Sequence, residues 1–344
     1  MEHPRPAAED RFPVSVTGEA PPPGWGRLLA DADRPSLLQD PAWSLALARH
    51  LPDRRPVWLL LGEAHRPLAG WCGLVRRRGP LETVELQYAG LSGAPLLARD
   101  LDPGDRAAVL AALATAWTRR VLASRRRVRS VVSLPPPWDA ELAGPLRRAG
   151  FRRREEATAA FDLTPGLDRV EREQFRKNRR NERNRSLRRG ATVAATTDPA
   201  VLEPFLAVYR RSARRWGVTP PPAGLLADLL AAGAGRVFLT VARHGDTFLG
   251  AHFLLQEGET AIAWLGATVD DHPDLFPATL LVWGDLQAAA ARGCRTLDLG
   301  GHGGQEGVAR FKRMLGATAV PRGLWVRERW PVNWLAAWRR RRGA

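Results

Sequence analysis

The chain contains 344 residues, carries a formal net charge of +16 at neutral pH and is 44% hydrophobic. This length favours two domains or one large domain, and the apolar fraction is sufficient for a buried core, which excludes a wholly disordered chain. The charge predicts an anionic partner: nucleic acid, a phosphate-bearing substrate or an anionic membrane surface.

Neither a membrane span nor a disulfide framework is predicted. No segment approaches the roughly 18 apolar residues of a membrane span. The first 25 residues are rich in proline and acidic side chains and lack the apolar centre of a signal peptide. Cys72 and Cys294 match no metal-ligand spacing and lie in apolar surroundings, so we expect buried, reduced thiols and no metal site. The prediction is a cytoplasmic protein with a flexible lead-in over residues 1–24.

The first half of the chain predicts mostly antiparallel strands with helices between them. Apolar periodicity predicts helices at 36–50, 105–123 and 139–149, and strands at 57–61, 68–75, 83–88, 128–134 and 157–163. These elements predict a first domain over residues 25–165.

The charge pattern changes abruptly after this domain. Residues 172–189 hold nine basic and two acidic side chains and are followed by Gly190, a good helix stop. We therefore predict a basic linker helix over residues 166–190.

The second half repeats the order of elements in the first. It predicts helices at 199–215, 223–232 and 277–292, and strands at 191–196, 236–242, 247–256, 260–266 and 295–299. The economical prediction is two related α/β units in tandem, the second over residues 191–328.

Both lysines of the chain lie in motif-like segments. The sequence has 52 lysine and arginine residues, of which only Lys177 and Lys312 are lysine, leaving 50 arginines. An ammonium is a compact point charge, whereas a guanidinium is a planar fork. Where a composition so strongly favours arginine, a remaining lysine points to a role that arginine does not fill.

Lys312 follows a glycine-rich segment at the end of a predicted strand. Glycines at 300, 301, 303 and 304 allow the backbone to approach a ligand and expose N–H groups. A helix starting near Gly307 would direct its first amides into the same region, and Lys312 would place an ammonium beside a developing negative charge. The alternative is a tight strand-to-helix turn with a solvated lysine.

The same segment resembles the FemABX family of peptidoglycan interpeptide-bridge aminoacyltransferases. The resemblance consists of a strand ending in Asp298, Leu299, Gly300 and Gly301, a short loop with Gly307, then Phe311, Lys312 and Gly316. Leu299 replaces the aromatic residue usual in that family. Gln39 and Trp43 resemble its opening helix motif, the basic run at 176–190 resembles its interdomain helix, and Trp283 resembles part of its helix before the last motif.

This resemblance implies a fold and a reaction. The implied fold class is α/β (α+β), with two tandem GNAT-like domains of the acyl-CoA N-acyltransferase fold, each a mixed, mostly antiparallel sheet flanked by helices. The implied enzyme is an acyltransferase that moves an amino acid from aminoacyl-tRNA to an amine of a peptidoglycan precursor, nucleotide- or lipid-linked, or of a related peptide. No cofactor is expected beyond the co-substrate aminoacyl-tRNA.

Roles for individual residues follow from the resemblance. Lys312 is expected to stabilise the transition state and Phe311 to form a wall or stacking surface for the terminal adenosine of the tRNA. No carboxylate or histidine identifies itself as a general base. Substrate contacts are expected from Gly300, Gly301, His302, Arg215 and Trp264, although His302 also fits a loop position without chemistry, Arg215 a solvated helix end and Trp264 core packing.

Two departures from the family pattern concern the acceptor. Ala98 stands where family members can carry an aspartate, and the lysine expected after the opening tryptophan is missing, with only Arg49 nearby. The identity of the acceptor is therefore not predicted.

The basic run has two interpretations. Arg176, Lys177, Arg179, Arg180 and Arg183 are expected to bind tRNA phosphates, a contact that is sensitive to salt and blind to sequence. The alternative is a solvated linker helix.

The C-terminal residues, 329–344, are rich in tryptophan and arginine. Trp330, Trp334 and Trp338 recur every fourth residue and are followed by four arginines. This spacing predicts a helix that docks on the first domain, or one that attaches the protein to the inner face of the membrane.

Two other functions stay open at this stage. One is a GNAT-type N-acyltransferase that uses acyl-CoA, although residues 270–277 are acidic and glycine-free where such enzymes hold a pyrophosphate. The other is a non-enzymatic protein that binds RNA or membranes on a decayed transferase fold.

Overall fold

The computed structural model describes residues 12–34, 36–86 and 88–329. The described residues form two compact units, the first from residues 12–156 and 321–329, the second from residues 157–320. The predicted C-terminal helix with its three tryptophans lies, apart from Arg329, outside the described residues.

The first unit is built mainly from the amino-terminal elements. They are β1 (Val14–Thr17), α1 (Trp25–Ala30), α2 (Pro41–His50), β2 (Arg54–Glu63), β3 (Arg66–Arg78), β4 (Leu81–Glu85), β5 (Leu96–Leu97), α3 (Pro103–Ala116), β6 (Arg127–Leu134), α4 (Pro136–Arg148) and the start of β7 (Arg152–Asp162). A π-helical turn, Trp117–Val121, extends α3. Asp40 and Asp102 cap α2 and α3, each followed by a proline at the first helical position.

The second unit continues from the end of β7. Its elements are α5 (Leu167–Arg169), α6 (Lys177–Arg188), β8 (Ala191–Thr196), α7 (Leu202–Trp216), α8 (Ala223–Ala232), β9 (Val237–His244), β10 (Thr247–Glu257), β11 (Thr260–Thr268), α9 (Pro277–Ala291), β12 (Thr296–Asp298), α10 (Glu306–Leu315) and the start of β13 (Thr318–Glu328).

The sheet of the first unit has the order β1-β2-β3-β4-β6-β13, with β5 alongside β3. Its described pairings are antiparallel except for β4 and β6, which are parallel. The core contains Trp71, Trp117 and Trp325, all fully buried. The indole N–H of Trp71 donates to the Gly93 carbonyl at 2.6 Å.

The sheet of the second unit has the order β7-β12-β11-β10-β9-β8. It too contains one parallel pair among its described pairings, β11 with β12. Helix α9 is mostly apolar and mostly buried, as expected for a helix that packs between other elements. The Phe175 ring lies between those of Phe161 and Trp283, with centroid distances of 6.3 and 5.8 Å. This cluster fixes the chain just before α6 against α9.

Strand β12 is short, and this places the glycine-rich segment. It pairs with β11 over three residues only, from Thr260 opposite Thr296 to Ile262 opposite Asp298. Strand β11 continues to Thr268, whereas the chain after β12 lies beside Ala263 at Gly300 and beside Ala157 at Gly301. The two strands therefore separate beyond Ala263, and the glycine-rich segment begins at that opening.

The structure confirms the expected fold class, a mixed and mostly antiparallel sheet flanked by helices in each unit. Three local predictions are wrong. Residues 14–17 form a strand instead of a flexible lead-in, residues 318–328 form a strand that sequence patterning missed, and α2 begins at Pro41 instead of 36. Strand β13 contains Pro321 and Gly323, two residue types depleted in strands, so its sequence gave no strand signal.

Candidate functional site

The glycine loop, residues 299–305, connects β12 to α10. Gly300, Gly303 and Gly304 have positive φ values of 76, 57 and 81°, a conformation that other residues rarely adopt. The carboxylate of Asp298 accepts a hydrogen bond from the Gly300 N–H at 2.7 Å and so fixes the first turn. These glycines are therefore required by the backbone itself.

Lys312 holds this loop from α10. Its ammonium donates to the carbonyl oxygens of Leu299, Gly300 and Gly301 at 2.6, 2.9 and 2.7 Å. An ammonium has three donors in a tetrahedral arrangement, so three converging carbonyls satisfy it completely. The sequence predicted that the loop would present N–H groups to a ligand. In the structure, three loop carbonyls instead converge on Lys312.

The environment of Lys312 also changes its acidity. Burial lowers the pKa of the ammonium from 10.5 to about 8, and the charge of Asp298 opposes that shift. A lysine with such a pKa exchanges its proton near physiological pH, which is the property that catalytic lysines need.

Phe311 and α6 meet next to Lys312. The Phe311 ring is half-buried against the core of the second unit, and the guanidinium of Arg179 lies 5.8 Å from its centroid. The Arg176 backbone N–H donates to the Leu315 carbonyl at 3.0 Å. The structure thus brings together the basic run and the Phe311–Lys312 pair, which the sequence alone could connect only through the family resemblance.

The basic side chains of α6 differ in their availability. Arg183 is 7% exposed, bonds to Glu171 at 2.5 Å and lies 4.2 Å from the Trp283 ring, so it is removed from the predicted phosphate-binding set. Arg180 donates to two backbone carbonyls and Arg179 pairs with Glu182. Within the described part of the chain, the exposed side chains of Arg176, Lys177 and Arg188 have no hydrogen-bond or ion-pair partner.

Arg215 and Trp264 have other partners in the second unit. Arg215 pairs with Asp270 at 2.5 Å and also donates to Ser212. The Trp264 ring, on β11, packs edge-on against Phe253 at a centroid distance of 6.0 Å.

His302 is exposed in the glycine loop. Its Nδ1 accepts a hydrogen bond from the Gly304 N–H at 3.2 Å. This contact braces the loop locally, in agreement with a loop position without its own chemistry.

A buried polar cluster of the second unit was not found from the sequence. Asp285, on α9, is fully buried, and it bonds to Thr240 on β9 and to Nδ1 of His252 on β10, the latter at 2.5 Å. Each of the three residues comes from a different element, so no local motif reveals them. The one available signal is Asp285 itself, a carboxylate within an otherwise apolar helix.

The first unit contains a small recess of about 30 Å³. Its lining includes Trp43 of the opening motif, Tyr88 and Ser92. Gln39 also lines the recess, but both of its oxygens are occupied. The side-chain oxygen accepts from the Cys72 N–H at 2.8 Å, and the backbone carbonyl accepts from the Trp25 indole N–H.

The two cysteines are free and buried, and burial raises the pKa of Cys72 to about 12, as predicted for structural thiols.

Two kinds of feature are absent from the described residues, a metal site and a membrane-spanning helix. No group of three or more His, Cys, Asp and Glu side chains there could hold a metal ion. No described helix is both long and apolar enough to cross a membrane.

Comparison with known proteins identifies the domain type. Residues 173–313, from just before α6 to Arg313, match the acetyltransferase (GNAT) domain family. No protein of curated function matches the sequence significantly. The family match confirms the expected enzyme class at the level of an acyltransferase domain.

Solved structures confirm the fold over most of the chain. FemX is similar with a TM-score of 0.65 and 13% identity, covering 86% of this chain and 94% of FemX. The C-terminal domain of a putative lysylphosphatidylglycerol synthetase from Agrobacterium fabrum has a TM-score of 0.57 and 14% identity, with coverages of 89% and 92%. A tandem GNAT protein from the clavulanic acid biosynthesis pathway has a TM-score of 0.52 and 14% identity, with coverages of 92% and 98%. The fold is thus that of tandem GNAT proteins, and the resemblance to the FemABX family is confirmed at that level.

Proposed function

We propose that this protein transfers an aminoacyl group from aminoacyl-tRNA to an amine of a peptidoglycan precursor or related peptide, forming an amide bond. One observation carries the proposal: the basic helix α6 contacts the Phe311–Lys312 segment of α10. Exposed Arg176 and Lys177 begin α6, and the Arg176 backbone bonds to the end of α10. A phosphate backbone that follows these charges would bring its terminal nucleotide to Phe311.

Lys312 would supply the electrostatic part of this reaction. The attack of an amine on an ester produces a tetrahedral oxyanion, and a nearby positive charge in a half-buried site stabilises it. All three donors of Lys312 are committed to loop carbonyls. A direct hydrogen bond to the oxyanion therefore requires the ammonium to release one carbonyl, most simply that of Gly300, which is the longest of the three contacts.

The comparisons support this class of donor and acceptor without fixing either. FemX and the lysylphosphatidylglycerol synthetase domain share the fold at 13% and 14% identity. The second name refers to a lipid carrying an amino acid. An anionic lipid headgroup is accordingly a second acceptor to include in any assay.

An acyl-CoA donor is the competing proposal, favoured by the match to an acetyltransferase domain. The segment between β11 and α9 argues against it, because Asp270, Asp271 and Asp274 lie there. Asp270 pairs with Arg215, and Asp274 with Arg189. A pyrophosphate bound here would lie next to these carboxylates, and Arg215 and Arg189 already form ion pairs with two of them.

The test is transfer from a mixed, radiolabelled aminoacyl-tRNA pool to muropeptide precursors, with parallel reactions that contain RNase or replace the tRNA with acyl-CoA. Transfer that RNase abolishes supports the proposal and identifies the amino acid. Transfer from acyl-CoA alone would contradict the tRNA-dependent function. Tight tRNA binding without any transfer would favour a non-enzymatic RNA-binding role.

A further inference from the structure

The cluster of Thr240, His252 and Asp285 lies in the second unit, outside the reaction described so far. Asp285 has no exposed surface, and a carboxylate buried in this way requires hydrogen-bond partners. It accepts one bond from the Thr240 hydroxyl and one from Nδ1 of His252. The carboxylate therefore binds the Nδ1 side of the imidazole, and Nε2 is the nitrogen that remains for a reacting group.

The other end of the imidazole reaches the surface. The His252 side chain is 16% exposed, and among the described residues Nε2 has no hydrogen-bond partner. His252 lies opposite Gly266 of β11, and a Cβ at Gly266 would come within 2.8 Å of Nε2 and 2.4 Å of Cδ2. Because Gly266 has no side chain, the imidazole ring of His252 can lie over this position of β11.

Gly266 lies on the part of β11 that has separated from β12. Strand β12 pairs with β11 only as far as Ile262, and one residue further the Ala263 carbonyl would be 3.9 Å from a Cβ at Gly300. Ala263 and Gly266 are opposite Leu254 and His252, two residues apart on β10 because of a β-bulge, which is about 7 Å along the strand. The residue opposite His252 and the residue beside Gly300, whose carbonyl accepts from Lys312, are thus three positions apart on the part of β11 that β12 leaves unpaired.

We propose that His252 is the general base of the transfer reaction, positioned by Asp285 and Thr240, an inference that rests on the proposed function. The amine nitrogen attacks the ester carbonyl carbon, and as the C–N bond forms its proton moves to Nε2. The tetrahedral intermediate then breaks its C–O bond to the ribose, and the departing oxygen takes the proton from Nε2. Asp285 stays ionised throughout and stabilises the imidazolium between the two steps.

The decisive variant is His252→Asn. The asparagine amide can donate to Asp285 in the place of Nδ1–H, so the buried carboxylate keeps its partner, but no base remains. We expect kcat to fall about 100-fold or more with an unchanged melting temperature, since general bases contribute on the order of 10²–10⁴-fold. His244→Asn, which alters an exposed histidine of β9 that contacts the Arg189 carbonyl, is the matched control with normal kcat. A normal kcat in His252→Asn would overturn the proposal. A loss of activity in proportion to the loss of folded protein would also overturn it, because the residue would then have only a structural role.

A second measurement does not depend on the reaction. Diethyl pyrocarbonate should modify Nε2 of His252 in the folded protein, as detected by peptide mass mapping. An unreactive His252 would show that the atom is not accessible and would overturn the proposal by itself. If the wild-type protein uses acyl-CoA and not aminoacyl-tRNA, the proposed donor is wrong, but the His252→Asn comparison on acyl-CoA still decides the role of the base. Absence of transfer from both donors would overturn the proposed transfer function and the role of His252 as its base.

Discussion

Lys312 combines a structural and a chemical task in one side chain. Its ammonium donates to three consecutive carbonyls just after β12, and the same charge lies next to Phe311 along the chain. An arginine cannot reproduce this, because its planar fork does not direct three donors to three converging carbonyls. This geometry explains why a chain with 50 arginines has a lysine at this position.

Substitution of Lys312 should therefore abolish transfer whichever residue replaces it. We expect Lys312→Ala and Lys312→Arg each to lower kcat/KM by about 10²–10³-fold, the range for removing one donor from an oxyanion site. Steady-state transfer kinetics measure the effect. The affinity for tRNA serves as control and should be unchanged, since Lys312 faces the loop. An Arg variant with near-normal kcat would show that charge alone is sufficient. It would contradict the requirement for three donors directed at three converging carbonyls.

The lowered pKa of Lys312 predicts two dependences on pH. The ammonium is charged below about pH 8 and loses its proton above it, so kcat/KM should fall on the alkaline side with an apparent pKa near 8. Between pH 8 and 10.5 the unfolded chain binds more protons at this residue than the folded chain. The free energy of unfolding of the wild type, relative to Lys312→Met, should therefore rise over that window. Rate profiles and denaturant titrations at several pH values test both. A relative stability that falls from pH 8 to 10.5 would mean that the folded pKa is raised instead.

At the scale of elements, the end of α10 is docked on the segment before α6. Gly316, which ends α10, has a φ of 105°, and a Cβ there would lie 1.9 Å from the Gln174 carbonyl oxygen. The Arg176 N–H bonds to the Leu315 carbonyl in the same place. The family-like Gly316 is thus explained by the close approach of two backbones.

Gly316→Ala should be strongly destabilising. The positive φ alone costs roughly 1–3 kcal/mol for a residue with a side chain, and the collision with Gln174 requires the backbone to move in addition. Gly245→Ala provides the matched control, because Gly245 also has a positive φ, 55°, but nothing lies within 4 Å of its Cβ position. Urea unfolding should give a clearly larger loss for Gly316→Ala. Equal losses would show that the contact between α10 and Gln174 contributes nothing.

Sequence patterning predicted the elements with strong periodicity and missed those set by tertiary contacts. Strand β8 and helix α8 agree with the predicted bounds of 191–196 and 223–232, because a turn or a glycine limits each. Strand β13 contains a proline and a glycine, and its pairing with β6 lies far away in sequence. The same reason applies to the site. Phe311 and Lys312 lie in a local motif, whereas Asp285 and His252 are 33 residues apart and meet only through packing.

At the scale of the whole molecule, the net charge of +16 raises the question of whether tRNA affinity comes from the general field or from a defined surface. The structure distinguishes the two. Arg176, Lys177 and Arg188 are exposed and unpaired within the described chain, whereas Arg179 and Arg183 are occupied by carboxylates. Exposed arginines also occur on the first unit, among them Arg77, Arg78 and Arg126. A comparison at equal net charge is therefore available.

Two triple alanine variants make that comparison, one at Arg176, Lys177 and Arg188, the other at Arg77, Arg78 and Arg126. Each removes three positive charges, so a general field predicts equal effects on binding. A phosphate contact adds about 0.7–0.9 to the slope of log affinity against log salt concentration. If all three α6 side chains contact phosphate, the α6 variant should lose about 2–3 units of that slope, whereas the control variant should keep it. Titrations of tRNA between low and moderate salt measure both slopes. An equal loss in the two variants would mean that tRNA is held by net charge, and α6 would then have no special part in bringing the acceptor end to Phe311.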